Sequence, residues 1–237
     1  MWYWRQSNFD GLKAIAEHYA DRPQCLDFAE YCHLQESGLR KQAFSFLSSF
    51  ISAAKKWPPD ETIRFVDELI TIHLANPDVH QLITYPLLQG LLLPCLRKWV
   101  VDHPEDATPH RWLGILLPDV SELDAALKLD PEDQLALERR AYTHIANVDF
   151  ACHHLSESTF LGNEEECQSD LKSAVEYAER ISDKRRRDNV LSEAKYFASL
   201  LEDWCEYKRI NTKELFTEWC ESKGREYAWS KAFYYSK

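Results

Sequence analysis

The sequence predicts an all-α protein built from antiparallel helical hairpins, and three observations carry that expectation. Apolar residues recur at helical spacing along almost the whole chain, as in Leu12, Ile15, Ala16 and Tyr19. Prolines fall mostly between these stripes, where they end one helix and preset the next. No segment sustains the period-two alternation of a half-buried strand.

After the first stripe, Pro23 opens a second helix through Leu26, Phe28, Ala29 and Leu34, which Ser37-Gly38 ends. A third carries Ala43, Leu47, Phe50, Ile51 and Ala54, and Trp57-Pro58-Pro59 stops it. Asp60 is placed to cap a fourth, with Ile63, Val66, Ile70 and Leu74 on one face. Beyond the break at Asn76-Pro77-Asp78, the segment from Val79 to Val101 reads as a buried, broken helix because Pro86 and Pro94 interrupt it. His103-Pro104-Glu105-Asp106 leads into a short helix with Trp112, Leu113 and Leu116, closed by Pro118.

The helix after Pro131 keeps its spacing through Leu135, Ala141, Ile145, Val148, Cys152 and Leu155. Asn163 caps the next, with Glu165 and Glu166 at the positive end of its dipole and Leu171, Ala174, Val175, Ala178 and Ile181 on its apolar face. Lys184 to Arg187 reads as a basic connection, followed by a helix striped with Val190, Ala194, Phe197, Ala198, Leu201, Trp204 and Cys205. Asn211 with Glu214 has the spacing of a capping box, and Gly224 is placed as a C-cap before a final aromatic helix.

One stretch carries more than periodicity. Leu123, Ala126, Leu127, Leu129, Asp130 and Pro131, followed by Leu137, Ala141 and Ile145, put small residues where two backbones approach closely and an Asp-Pro step between the helices. This stretch resembles the tetratricopeptide repeat family, with Pro131 as the closing proline of one unit. Asp119 stands where the family has a small residue, Gly114 lies too close to Ala126, and Val148-Asp149-Phe150 continues a helix where the family turns. The resemblance implies an irregular tetratricopeptide-like α-solenoid: one helical-repeat domain over 1–237, divisible into amino-terminal hairpins (1–102) and repeat-like hairpins with a carboxyl-terminal helical cap (103–237). It also implies protein or peptide binding on the concave face that stacked hairpins leave open.

Composition narrows the chemistry. Thirty-nine acidic against 28 basic residues give a net charge of −11, which argues against a phosphate-backbone binder and favours a basic partner. Six scattered glycines build no phosphate-cradling loop, and there is no Gly-x-Ser-x-Gly, Cys-x-x-Cys or His-Glu-x-x-His motif. Seven irregularly spaced cysteines read as reduced thiols of a cytoplasmic protein. Neither the amino terminus nor any internal stretch has the apolar run of a signal peptide or membrane helix.

The expectation is therefore a non-catalytic protein- or peptide-binding scaffold without metal or cofactor, binding neither nucleic acid nor membrane. An immunity-type protein that neutralises a basic toxin would suit it, since opposite charge speeds capture. Trp112, His144, Trp204, Trp219 and Trp229 are the candidate partner-binding residues, aromatic anchors being the commonest hot spots. The terminal aromatics Trp2, Tyr3, Trp4, Tyr227, Phe233, Tyr234 and Tyr235 could instead cap the helical stack or mediate self-association. The competing class is an enzyme or ligand-responsive regulator with a helical cavity near His144 and Cys152, which face the same way across two helical turns.

Overall fold

The computed structural model describes residues 5–210 and 212–229, and every regular element among them is helical. Trp2, Tyr3, Trp4, Asn211, Phe233, Tyr234 and Tyr235 lie outside the described residues. No helix among those described is long and apolar enough to cross a membrane. The chain divides into two compact units, residues 1–113 and 114–237, and the division falls inside a helix.

In the first unit, α1 (Gln6–Ala20) buries the stripe of Leu12, Ile15, Ala16 and Tyr19. A 3-10 turn at Pro23–Cys25 leads into α2 (Leu26–Glu36), and α3 (Arg40–Ala54) follows the left-handed Gly38, whose φ of 75° suits a residue without Cβ. α1 packs on α2 and α2 on α3. In α4 (Pro59–Ala75) Pro58 takes the N-cap and Pro59 the first helical position, so Asp60 sits inside the first turn and is not the cap. Its buried face is Phe65, Val66, Leu69 and Ile70, while Ile63 and Leu74 are half-buried.

The segment expected to be broken is instead one continuous helical run: α5 (Tyr85–Leu87), a π-helical turn at Leu88–Leu92, and α6 (Leu93–Asp102). The Leu93 N–H bonds to the Leu88 carbonyl, five residues back. Pro94 offers no N–H, and its ring would collide with the carbonyl four residues back; the wider turn just before it accommodates both demands. α7 (Ala107–Leu116) buries Trp112, whose indole N–H donates to Asp67 Oδ1 at 2.7 Å.

Rings hold this unit together. Phe28 is fully buried, with ring centroids of Tyr19 at 5.2 Å, Phe50 at 5.1 Å and Phe65 at 5.4 Å; Trp57 closes the group at 5.5 Å from Phe50. Their tilted and edge-to-face arrangements add to area burial.

The second unit packs differently. α8 (Val120–Leu129) and α9 (Gln134–Cys152) are capped by Asp119 and Asp133, each carboxylate accepting first-turn N–H groups. Leu123, Ala126, Leu137 and Ala141 are all buried. Gly114 marks a close approach: a Cβ there would lie 2.6 Å from Leu123 Cγ. α9 runs to Cys152 without the family's turn.

Asn163 caps α10 (Glu164–Glu179), and α11 (Lys184–Ile210) begins where a connection was expected. Four cations oppose the positive end of that dipole. Asp183 Oδ1 accepts from Arg186 N at 2.8 Å, Arg186 pairs with Glu138 at 3.6 Å, and Arg187 donates to the Ile181 carbonyl at 2.9 Å. α9, α10 and α11 each pack against the other two, burying Ala141, Ala151, Ala174, Ala178 and Ala194.

α12 (Phe216–Ser222) starts later than the expected capping box; Leu215 takes the N-cap, and Glu218 accepts from its N–H at 3.1 Å. Gly224 ends it with a φ of 67°, but residues 225–229 form an irregular strap, not an aromatic helix.

Candidate functional site

A groove of about 330 Å³ lies in the second unit between the end of α9, the middle of α11 and the strap. Asp149, Cys152, His153 and Ser156 are spaced by three and four residues, so α9 and the turn after it offer them on one side. Glu193, Tyr196, Phe197 and Leu200 have the same spacing on α11, and Ala228 and Trp229 supply the third wall.

The strap is fastened by one buried carboxylate. Asp203 is 6% exposed and accepts from the Tyr227 hydroxyl, while Arg225 Nε lies 3.4 Å from its Oδ2. Burial pushes the Tyr227 phenol up, and the charge of Asp203 pushes it further. The Tyr196 hydroxyl accepts from Ala228 N at 3.2 Å, and Trp229 packs 5.6 Å from the Phe216 ring and 5.7 Å from Tyr227.

The electrostatics of the groove are one-sided. Asp149 and Glu193 are exposed, and neither has an ion-pair partner among the described residues. Tyr196, Phe197 and Trp229 supply aromatic faces beside them. Burial, with Cys167 and Asp149 adding to it, pushes the Cys152 thiol up to about 12, away from the reactive thiolate.

The five residues expected to bind a partner do not converge. Trp229 lines the groove, partly exposed. Trp204 and Trp219 are 6% and 4% exposed and pack on Phe216 in the core of the second unit, and Trp112, at 2%, is interior to the first. These three are corrected from surface anchors to core residues, the stripe that buries them outweighing their hot-spot propensity.

His144 is not among the residues that line the groove. Its Nδ1 lies 2.6 Å from Asp170 Oδ1 on α10, and its ring stacks on Tyr177 at 5.8 Å. Arg140 extends this seam, bonding Asp124 at 2.6 Å with its guanidinium 5.3 Å from the Tyr177 ring. No group of three or more potential metal ligands gathers among the described residues. Sequence reasoning missed Asp149, Glu193 and Tyr196, although each sits at helical spacing from an aromatic or cysteine that it did single out.

Comparison with models of known families, with curated proteins and with solved structures finds no match to this chain.

Proposed function

We propose that this chain is a non-catalytic protein-binding scaffold whose carboxyl-terminal groove takes a lysine or arginine side chain from a basic partner. The observation that carries the reading is that two exposed carboxylates, Asp149 and Glu193, without an ion-pair partner among the described residues, share one groove with the rings of Tyr196, Phe197 and Trp229. Carboxylates supply charge, and aromatic faces attract a cation that has shed part of its water. The net charge of −11 would draw such a partner in over long range, as an immunity-type neutraliser requires. The buried Ala126 and Ala141 of the α8–α9 pair support a tetratricopeptide-like scaffold as its frame.

A fluorescent peptide of alternating arginine and glycine, with a glutamine-for-arginine control, tests this. The arginine peptide should bind in a salt-sensitive way, and Asp149→Asn with Glu193→Gln should weaken it about tenfold. Equal binding of the glutamine peptide, or an unaffected double variant, would end the reading. An enzyme or regulator built around His144 and Cys152 has less support, because His144 is engaged by Asp170 and burial pushes the Cys152 thiol up to about 12.

A further inference from the structure

The first unit contains two stretches without acidic residues. Residues 37–59 include no acid and four cations, Arg40, Lys41, Lys55 and Lys56. Residues 79–101 include no acid and two cations, Arg97 and Lys98, of which Lys98 pairs with Asp102 at 2.5 Å. The fold brings these stretches together, because α3 packs against α5 and the π-helical turn. In a chain with eleven more acids than bases, that is a concentration of positive charge.

A cleft of about 590 Å³ opens beside this pairing, within the range of pockets that hold small organic ligands. Gln35, Arg40, Phe44, His80, Thr84 and Tyr85 line it, and no acidic side chain does. The Arg40 guanidinium lies 5.5 Å from the Phe44 ring centroid and pairs with no carboxylate among the described residues. Arg40 also begins α3, whose N-cap residue, Leu39, has no side chain that can accept from the first-turn N–H groups.

The floor is polar: Gln35 is 4% exposed and its amide reaches the Tyr31 hydroxyl at 3.5 Å, while that hydroxyl donates to the Gln81 carbonyl at 3.1 Å and lies 3.5 Å from Thr84 Oγ1. At the rim the Tyr85 ring is 74% exposed.

We propose that this cleft binds a small organic anion, a carboxylate or phosphate carried on a planar ring. The anion sits on the fork of Arg40, helped by the α3 amides, and the ring lies against Phe44 and Tyr85. This site is separate from the basic-partner groove and selects the opposite charge.

Calorimetric titration of the full chain with phenyl phosphate, benzoate, inorganic phosphate and phenol tests the assignment. Phenyl phosphate or benzoate should bind at millimolar concentration or better, and which of them binds more tightly distinguishes a phosphate ligand from a carboxylate. Arg40→Ala should weaken binding tenfold or more, the loss of about one charge-assisted forked contact. Arg40→Lys should retain part of it, and Lys41→Ala, outside the cleft, all of it.

Several results would overturn the proposal: no binding by either ring-bearing anion, undiminished binding in Arg40→Ala, phenol matching phenyl phosphate, or inorganic phosphate matching it. A folded-state check by circular dichroism separates lost binding from lost structure in Arg40→Ala.

Discussion

The core of residues 1–113 centres on rings, whereas residues 114–237 combine small side chains packed between helices with a separate ring cluster around Phe216. The first unit centres on Tyr19, Phe28, Phe50 and Phe65, whereas the second buries Ala126, Ala136, Ala141, Ala174, Ala178 and Ala194 between its helices. Charge divides the same way. The first unit carries 14 acids and 11 bases, the second 25 and 17, net −3 against −8. One all-α vocabulary thus yields two packing solutions, and the acid-lined groove lies in the more acidic unit.

The two cores should fail in opposite directions. Truncation hurts the ring core most: Phe28→Ala should cost about 3–5 kcal/mol in urea unfolding, with amide protection lost first in α1 to α4. Enlargement hurts the alanine core: Ala174→Leu should cost about 1–3 kcal/mol, because a fully buried alanine leaves no room for a larger side chain. If Ala174→Leu proved neutral, the contrast would collapse.

Smaller effects sharpen the comparison at the helix ends and surfaces. Asn163→Ala removes the acceptor for Glu165 and Glu166 N–H and should lower thermal stability by about 1 kcal/mol. Glu68→Gln should cost about 1 kcal/mol at neutral pH after allowing for its partial exposure. Arg22, hydrogen-bonded at 2.6 Å, and His18 hold the Glu68 carboxyl below its ordinary value.

A depressed carboxylate contributes fully above its unfolded value of 4.5 and loses that contribution as pH falls through the lower folded value. The gap between wild type and Glu68→Gln should therefore close in acid, measured by unfolding midpoints from pH 7 to pH 3. Lys172→Ala, which breaks only an exposed pair with Glu176 at 3.8 Å, should change stability by less than about 0.5 kcal/mol.

Helix existence was legible because burial follows period: the stripes of α1, α3, α10 and α11 are buried largely as spaced. Asn163 was readable as a cap because an amide before an acidic turn has few other uses. The start of α11 was hidden because a run of four cations opposes a helix dipole, and the groups that offset it, Glu138 and the Ile181 carbonyl, lie outside the run. The continuity through Pro94 was hidden because a wider turn has no apolar signature.

The groove was half legible. Cys152 and Trp229 stood out by residue type, but Asp149 and Glu193 are ordinary surface acids until α9 and α11 pack side by side. Arg40 and His80 meet for the same reason, through long-range packing that no local pattern announces.

The π-helical turn before Pro94 also takes up slack in the chain. Its five residues cover about the rotation that four cover in an α-helix, so one surplus residue is absorbed while Leu96 and Trp99 still enter the core. Deleting Gln89 would let the run rewind as ordinary α-helix with both side chains facing as before. Deleting Cys95 instead, where there is no surplus to remove, would swing the rest of α6 by roughly 100° about its axis and turn a buried tryptophan toward water.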